Sequence, residues 1–127
     1  MNNPMNDAAW ILLITFALSF VYEFYRATIK AGASRYDSIR SFVVQGFTFY
    51  VAAAIVIATL FAEFDWAAWV GLAFSVVCIL VSVFYYNPRV MLERQPRIID
   101  WFEDLVFTGL LFVAATLHLY EVLGRTS

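Results

Sequence analysis

Asp100, Glu103 and Asp104 introduce three carboxylates at the start of an apolar run and are the clearest candidates for chemistry in this sequence. Their spacing places them on one side of a helix. Glu23 and Arg26 lie three residues apart at the end of the first apolar run. Ionisable groups at membrane depth can form a proton or cation path, a divalent-cation site, or structural ion pairs. These five residues form a candidate ion-pair cluster, structural or functional, in which we expect Arg26 to pair with Glu103 and Asp104.

Two further ionisable residues, His118 and Glu121, continue the same face of the last apolar run toward its far end. Asp104 and His118 are 14 residues apart, so roughly 21 Å of helix separates them, too far for direct proton transfer. Haem ligation by two histidines would require a second copy, because the chain has one histidine. We interpret His118 and Glu121 as outer-end polar residues and expect no cofactor. No metal is expected either, because an arginine lies beside the acids.

The composition indicates a membrane protein. Of 127 residues, 63% are hydrophobic and 14% are charged, whereas a soluble domain has about 25% charged residues. The length fits a single domain, 1–127. The net charge of −2 argues against nucleic-acid binding, which requires a basic face. The single cysteine excludes an intrachain disulfide and a CxxC site.

Four uncharged apolar runs alternate with short charged segments. The two middle runs have 22 residues each, enough to cross a bilayer, which takes about 20. The first and last runs have 15 and 16 residues and must draw flanking charges into their helical ends. None shows the strict alternation of a barrel strand. The sequence predicts an all-α integral membrane four-helix bundle with spans at about 8–28, 40–62, 66–87 and 98–122.

Local signals predict where these helices begin and end. Asp37 or Ser38 can cap the second helix, and Asn87-Pro88 is expected to end the third. Pro96 is suited to the first position of the fourth helix.

The basic residues predict the orientation in the membrane. Seven of the eight lie in or beside the segments 27–40 and 88–99, and the connection around Glu63 and Asp65 has none. Cytoplasmic loops are enriched in lysine and arginine. We therefore expect loops 27–40 and 88–99 in the cytoplasm and both termini on the extracytoplasmic side.

Small residues recur at helical spacing along the second and third spans, which allows close helix approach in lipid. We expect them to hold these two helices together as a hairpin. The predicted helix-packing residues are Gly46, Ala54, Ala58, Gly71, Ser75 and Ser82.

No motif of a soluble active site is present: the chain lacks a P-loop, HExxH, GxSxG and a glycine-rich dinucleotide turn. We therefore expect no enzyme activity. The favoured function is that of a structural or accessory component of a larger membrane complex or a membrane envelope. Its partners would be the lipid bilayer and other membrane subunits or the chain itself, without nucleic acid. The alternative is a homo-oligomeric ion or proton channel, or a small transporter, that uses the acids of the first and fourth helices.

Overall fold

The computed structural model describes the backbone of residues 4–126 and the side chains of residues 6–124. This part of the chain is all-helical. Helix α1 spans Pro4–Thr28, α2 spans Ile39–Phe61, α3 spans Ala67–Val81, and α4 spans Ile98–Thr126. A π-helical segment, Ser82–Met91, continues α3 without a break.

Four helical segments are long and apolar enough to cross a membrane, which confirms the predicted number of spans and a multi-pass membrane protein. They are Asn6–Thr28, Ile39–Phe61, Ala67–Met91 and Ile98–Gly124. The side of the membrane on which the termini lie stays a prediction, and residues 1–3 and 127 lie outside the described part of the chain.

The four helices close into a ring in chain order. Helix α1 packs most extensively against α4 and also against α2, whereas α2 and α3 pack least. The centre of the ring is apolar, with Leu12, Leu60, Leu111 and Ala114 completely buried. Phe16 lies beside them, and its ring centroid is 5.6 Å from those of Phe74 and Phe107.

The third span ends differently from the prediction. The chain stays helical through Pro88 to Met91 instead of ending at Asn87. Proline has no backbone N–H and its ring crowds the preceding turn, but a wider π-turn relieves this conflict. The Leu92 amide accordingly donates to the Asn87 carbonyl, five residues back, at 3.3 Å.

The starts of α2 and α4 use side-chain caps. The Ser38 hydroxyl accepts from the Ser41 amide at 3.0 Å, so Ser38 rather than Asp37 caps α2. Helix α4 begins at Ile98, and the Asp100 carboxylate accepts from the Arg97 amide at 2.9 Å. This contact satisfies one of the N–H groups that the first turn of a helix leaves unpaired.

The small residues of α2 do not all face the bundle. Ala54 and Ala58 lie on its exposed side, and Ala53, Val56 and Ile57 occupy the buried one. A rotation of one residue, about 100° around the helix axis, separates these two faces. Both are apolar, so composition alone did not distinguish them.

The small residues of α3 and of the π-helical segment do lie in the interior, but they face α4. Gly71, Ser75 and Ser82 are buried. Ser82 Oγ is 3.1 Å from Thr108 Oγ1, and Ser75 Oγ is 3.5 Å from His118 Nδ1. Gly46 is half-buried, and a Cβ there would come within 2.9 Å of the Tyr50 ring of its own helix.

Candidate functional site

Two arginines form the centre of a buried network at the end of the bundle that carries the connections 29–38 and 92–97. Arg26 donates to both carboxylate oxygens of Asp37, from Nε at 3.0 Å and from Nη2 at 2.6 Å. Arg26 Nη1 also lies 3.7 Å from Asp100 Oδ1. The side chain of Asp37 is 0% exposed and that of Arg26 is 5% exposed. Ion pairs shielded from water to this degree are weakened little by salt.

Arg94 makes the second set of contacts. Its Nη2 and Nη1 donate to the two oxygens of Glu23 at 2.8 and 3.1 Å. Nη1 also donates to the Tyr86 hydroxyl at 3.0 Å, and Nε lies 3.1 Å from Asp37 Oδ1. Asp37 therefore lies between both arginines, with a further hydrogen bond of 2.8 Å from the Ser34 hydroxyl.

Glu23, Arg26, Asp37, Arg94 and Asp100 are referred to as the ionic cluster. It joins α1, the connection after α1, the connection before α4, and the start of α4. The Tyr22 hydroxyl of α1 adds a hydrogen bond to Asp100. Burial alone would lower the pKa of Arg94, but the hydrogen bond and charge of Glu23, with Tyr86 and Asp37, raise it above its usual range. Arg94 therefore stays positively charged.

The structure brings three of the five sequence-predicted acid and base residues into the cluster: Glu23, Arg26 and Asp100. Glu103 and Asp104 lie outside it, and Arg26 pairs with Asp37 and Asp100 instead of with them. They are one turn further along α4, whereas the connection after α1 brings Asp37 directly onto the arginine. That contact spans only 11 residues of sequence.

Glu103 and Asp104 line a cavity of about 400 Å³ between the four helices at the same end. Asp104 is 8% exposed, and the Asn87 side chain lies beside it. With its amide nitrogen toward the carboxylate, Asn87 donates to both oxygens of Asp104 at 3.1 Å. Glu103 is half-buried, and among the described residues its carboxylate has no hydrogen bond or ion pair.

The rest of the cavity wall is largely aromatic. Its aromatic residues come from α1, α2, α4, the π-helical segment and the connection after α1; they are Phe16, Tyr36, Phe42, Phe49, Tyr50, Tyr85, Tyr86 and Phe107. Ser19 and Gln45 add polar groups, and the Ser19 hydroxyl lies 2.9 Å from the Tyr50 hydroxyl. Glu23 and Arg94 form the part of the wall nearest the ionic cluster.

His118 lies in the interior of the opposite half of the bundle rather than at its surface. Its side chain is 0% exposed and fills a notch at Gly71, where a Cβ would lie 2.5 Å from Nε2. Nε2 is buried without a hydrogen-bond partner among the described residues. Glu121 is half-buried one turn further along α4. The structure therefore separates these two residues from the ionic cluster.

The described residues contain no group of three or more histidine, cysteine, aspartate or glutamate side chains that could hold a metal ion. Sequence reasoning missed the roles of Asp37, Tyr22 and Tyr86. The sequence offers two candidate caps for α2, Asp37 and Ser38. A helix needs only one cap, and Ser38 supplies it, so the Asp37 carboxylate is left for another role. The tyrosines gave no signal, because aromatic residues are expected at both ends of a membrane helix.

Comparison of the chain with models of protein families, with curated proteins and with solved structures finds no match.

Proposed function

We propose that this membrane protein is a structural or accessory component of a larger membrane complex or a membrane envelope, working by helix packing rather than catalysis. The observation that carries the proposal is the closed centre of the bundle. Leu12, Phe16, Leu60, Leu111 and Ala114 are buried between the ionic cluster and His118. Conduction requires a wetted or ion-coordinating path, which this apolar barrier does not offer in one copy.

The ionic cluster supports the same function. Four of its members are at most 5% exposed at the side chain, and Glu23 is 22% exposed. Each arginine is paired with two carboxylates, so the charges are used to fix helix ends to one another. Deleting one partner of such a pair leaves the other charge buried and uncompensated, so the pairs oppose any rearrangement of the helix ends that would separate them.

The outer surface of the bundle offers room for partner helices. Within the most apolar window of each span, only 22–33% of the residues are buried inside the chain. The remainder faces lipid or other subunits, and helix packing in lipid relies on close van der Waals contact. The proposed location is a cell membrane or membrane envelope, with loops 27–40 and 88–99 in the cytoplasm.

The test measures assembly and conduction on the same protein. We expect the chain, solubilised gently from its own membrane, to migrate on native gels in an assembly larger than one copy. The purified chain in liposomes should pass neither protons nor monovalent cations above the level of empty liposomes. Robust flux from the purified chain, lost in folded Glu103→Gln/Asp104→Asn protein, would overturn the proposal.

The second candidate function is a homo-oligomeric channel or small transporter. One observation favours it: the cavity reaches well into the membrane-spanning region and has two carboxylates outside the ionic cluster. Because the apolar barrier closes one copy, this function requires either a path between copies or a movement of α2 away from α3. The liposome experiment distinguishes the two candidates.

A further inference from the structure

We propose that the cavity is a binding site for an amphipathic organic cation: an apolar, preferably aromatic, body carrying one positively charged nitrogen or phosphorus. This inference goes beyond the proposed function and does not depend on it. A bundle component without transport activity could hold such a ligand as readily as a transporter could.

The size and position of the cavity fit a ligand of this class. Its volume of about 400 Å³ is within the range of small-molecule sites, roughly 300–1,000 Å³. Phe16, Cys78 and Phe107 form its deep end, next to the apolar barrier. The cavity therefore ends inside the bundle, as a binding pocket does.

Helix α2 and the π-helical segment form two walls of the cavity. Both line the cavity, the first through Ser41 to Tyr50 and the second through Ser82, Tyr85, Tyr86 and Val90. They do not pack extensively against each other, because the cavity lies between them. The broader turn of the π-helix forms this wall, and π-turns are often found at functional sites. A ligand that partitions into the membrane could enter from the side.

The carboxylates of the wall favour a cation over an anion or a neutral molecule. The positive charge of Arg94 is shared between Glu23 and Asp37, at 2.8 and 3.1 Å. Glu103 and Asp104 have no arginine, lysine or histidine within 4 Å among the described residues. In that part of the chain Asp104 has only neutral hydrogen-bond partners, the side chains of Asn87 and Ser82, and its exposure is 8%. Burial disfavours the charged form of a carboxylate, and a cation bound in the cavity would stabilise that form.

The aromatic wall selects the kind of cation. Phe16, Tyr50 and Phe107 surround the deep part of the cavity, with the Phe16 ring 6.2 Å from Tyr50 and 5.6 Å from Phe107. Aromatic faces attract weakly hydrated cations and pack against apolar bodies. A hydrated metal ion would not use these rings, but an organic cation would contact both the rings and the carboxylates.

The test uses tetraphenylphosphonium and purified protein in detergent, with binding followed by equilibrium dialysis. Saturable binding with one site per chain is expected. Glu103→Gln/Asp104→Asn should weaken it about tenfold or more, because the desolvated counter-charge is lost. Glu93→Gln, a change of the same kind outside the cavity, should leave it unchanged. The neutral analogue triphenylphosphine oxide should bind wild type at least about tenfold more weakly than the cation does.

If the Glu103→Gln/Asp104→Asn protein does not fold, a second variant that keeps both carboxylates still tests the site. Val81→Phe places a larger side chain in the cavity wall and should abolish binding of the phosphonium ion while the protein still melts cooperatively. Absence of saturable binding to folded wild type, or equal binding to wild type and Val81→Phe, would overturn the inference.

The positively charged amine of a membrane lipid could supply the same chemistry as a free amphipathic cation. Binding is therefore repeated in nanodiscs with and without phosphatidylethanolamine. Competition by this lipid would identify a lipid headgroup as the natural occupant, and unchanged affinity would identify a free cation. Loss of all saturable binding in both kinds of nanodisc would contradict the binding site. None of these binding results changes the assembly that the proposed function predicts on native gels.

Discussion

Replacing Arg26 by alanine removes two hydrogen bonds to Asp37 and the 3.7 Å contact with Asp100. Breaking a buried ion pair by deleting one partner costs ~3–5 kcal/mol. Asp37 keeps the Arg94 Nε at 3.1 Å and the Ser34 hydroxyl at 2.8 Å, so we expect the low end of that range, about 3 kcal/mol. The measurement is reversible unfolding of the purified protein in mixed micelles with increasing dodecyl sulfate, followed by circular dichroism.

A matched surface pair provides the control. Arg35 and Glu93 form an ion pair of 2.9 Å, but their side chains are 70% and 38% exposed. Solvent screens such a pair, so Arg35→Ala should change the free energy of unfolding much less than Arg26→Ala does. The negative charge of Glu93 and the nearby Tyr36 raise the pKa of Arg35, so Arg35 is charged in the control at any pH used.

Second-site variants distinguish the observed partner from the one that the sequence suggested. Arg26→Gln with Asp37→Asn should recover part of the lost stability, because neither member is left as an uncompensated buried charge; coupling of contacting residues is about 0.5–3 kcal/mol. Arg26→Gln with Asp104→Asn should recover nothing. Equal recovery by both pairs, or a cost of Arg26→Ala no larger than that of Arg35→Ala, would refute the reasoning.

Three further predictions concern helix packing and the orientation of the chain in the membrane. Gly71→Ala should destabilise the bundle by ~1–3 kcal/mol, because the new Cβ would lie 2.5 Å from the buried histidine ring; Gly109→Ala, with nothing within 4 Å, should be neutral or slightly stabilising in the same unfolding assay. Ala53→Leu should likewise cost ~1–3 kcal/mol, because Ala53 is buried. Ala58→Leu, on the exposed side of α2, should cost less than about 0.5 kcal/mol, as ordinary surface changes do. A larger cost for Ala58→Leu than for Ala53→Leu would contradict the observed rotation of α2. Asp65→Cys, in a variant without the buried native cysteine, should react with a membrane-impermeant thiol reagent in intact cells, since its connection is expected outside; protection until the membrane is opened would reverse the predicted orientation.

The number of membrane spans was determined by the sequence itself. A bilayer supplies no hydrogen-bonding partners, so an apolar run of sufficient length must satisfy its own backbone as a helix. The cap at Ser38 is equally local, because its hydroxyl bonds an amide three residues ahead. The arginine-rich connections are likewise evident from the sequence, because their basic residues lie close together along the chain. Each of these features depends on residues that are neighbours along the chain.

The partner of each charge was decided only by the tertiary structure. Arg94 and Glu23 are 71 residues apart, and Tyr22 and Asp100 are 78 residues apart. Several arginines and acids lie at similar depth, so depth alone admits many pairings. The choice among them depends on the path of the connections, which places Asp37 on Arg26 and leaves Glu103 and Asp104 in the cavity.

The face that each helix turns to its neighbours was also a tertiary decision. A soluble helix shows its inward side as an apolar stripe, because its other side is in water. In lipid both sides are apolar, so the spacing of Ala54 and Ala58 looked like an interface although Ala53 is the residue that faces the core. The burial of His118 against Gly71 has the same origin. Shape complementarity between helices, rather than contrast with the surroundings, selects the packed face.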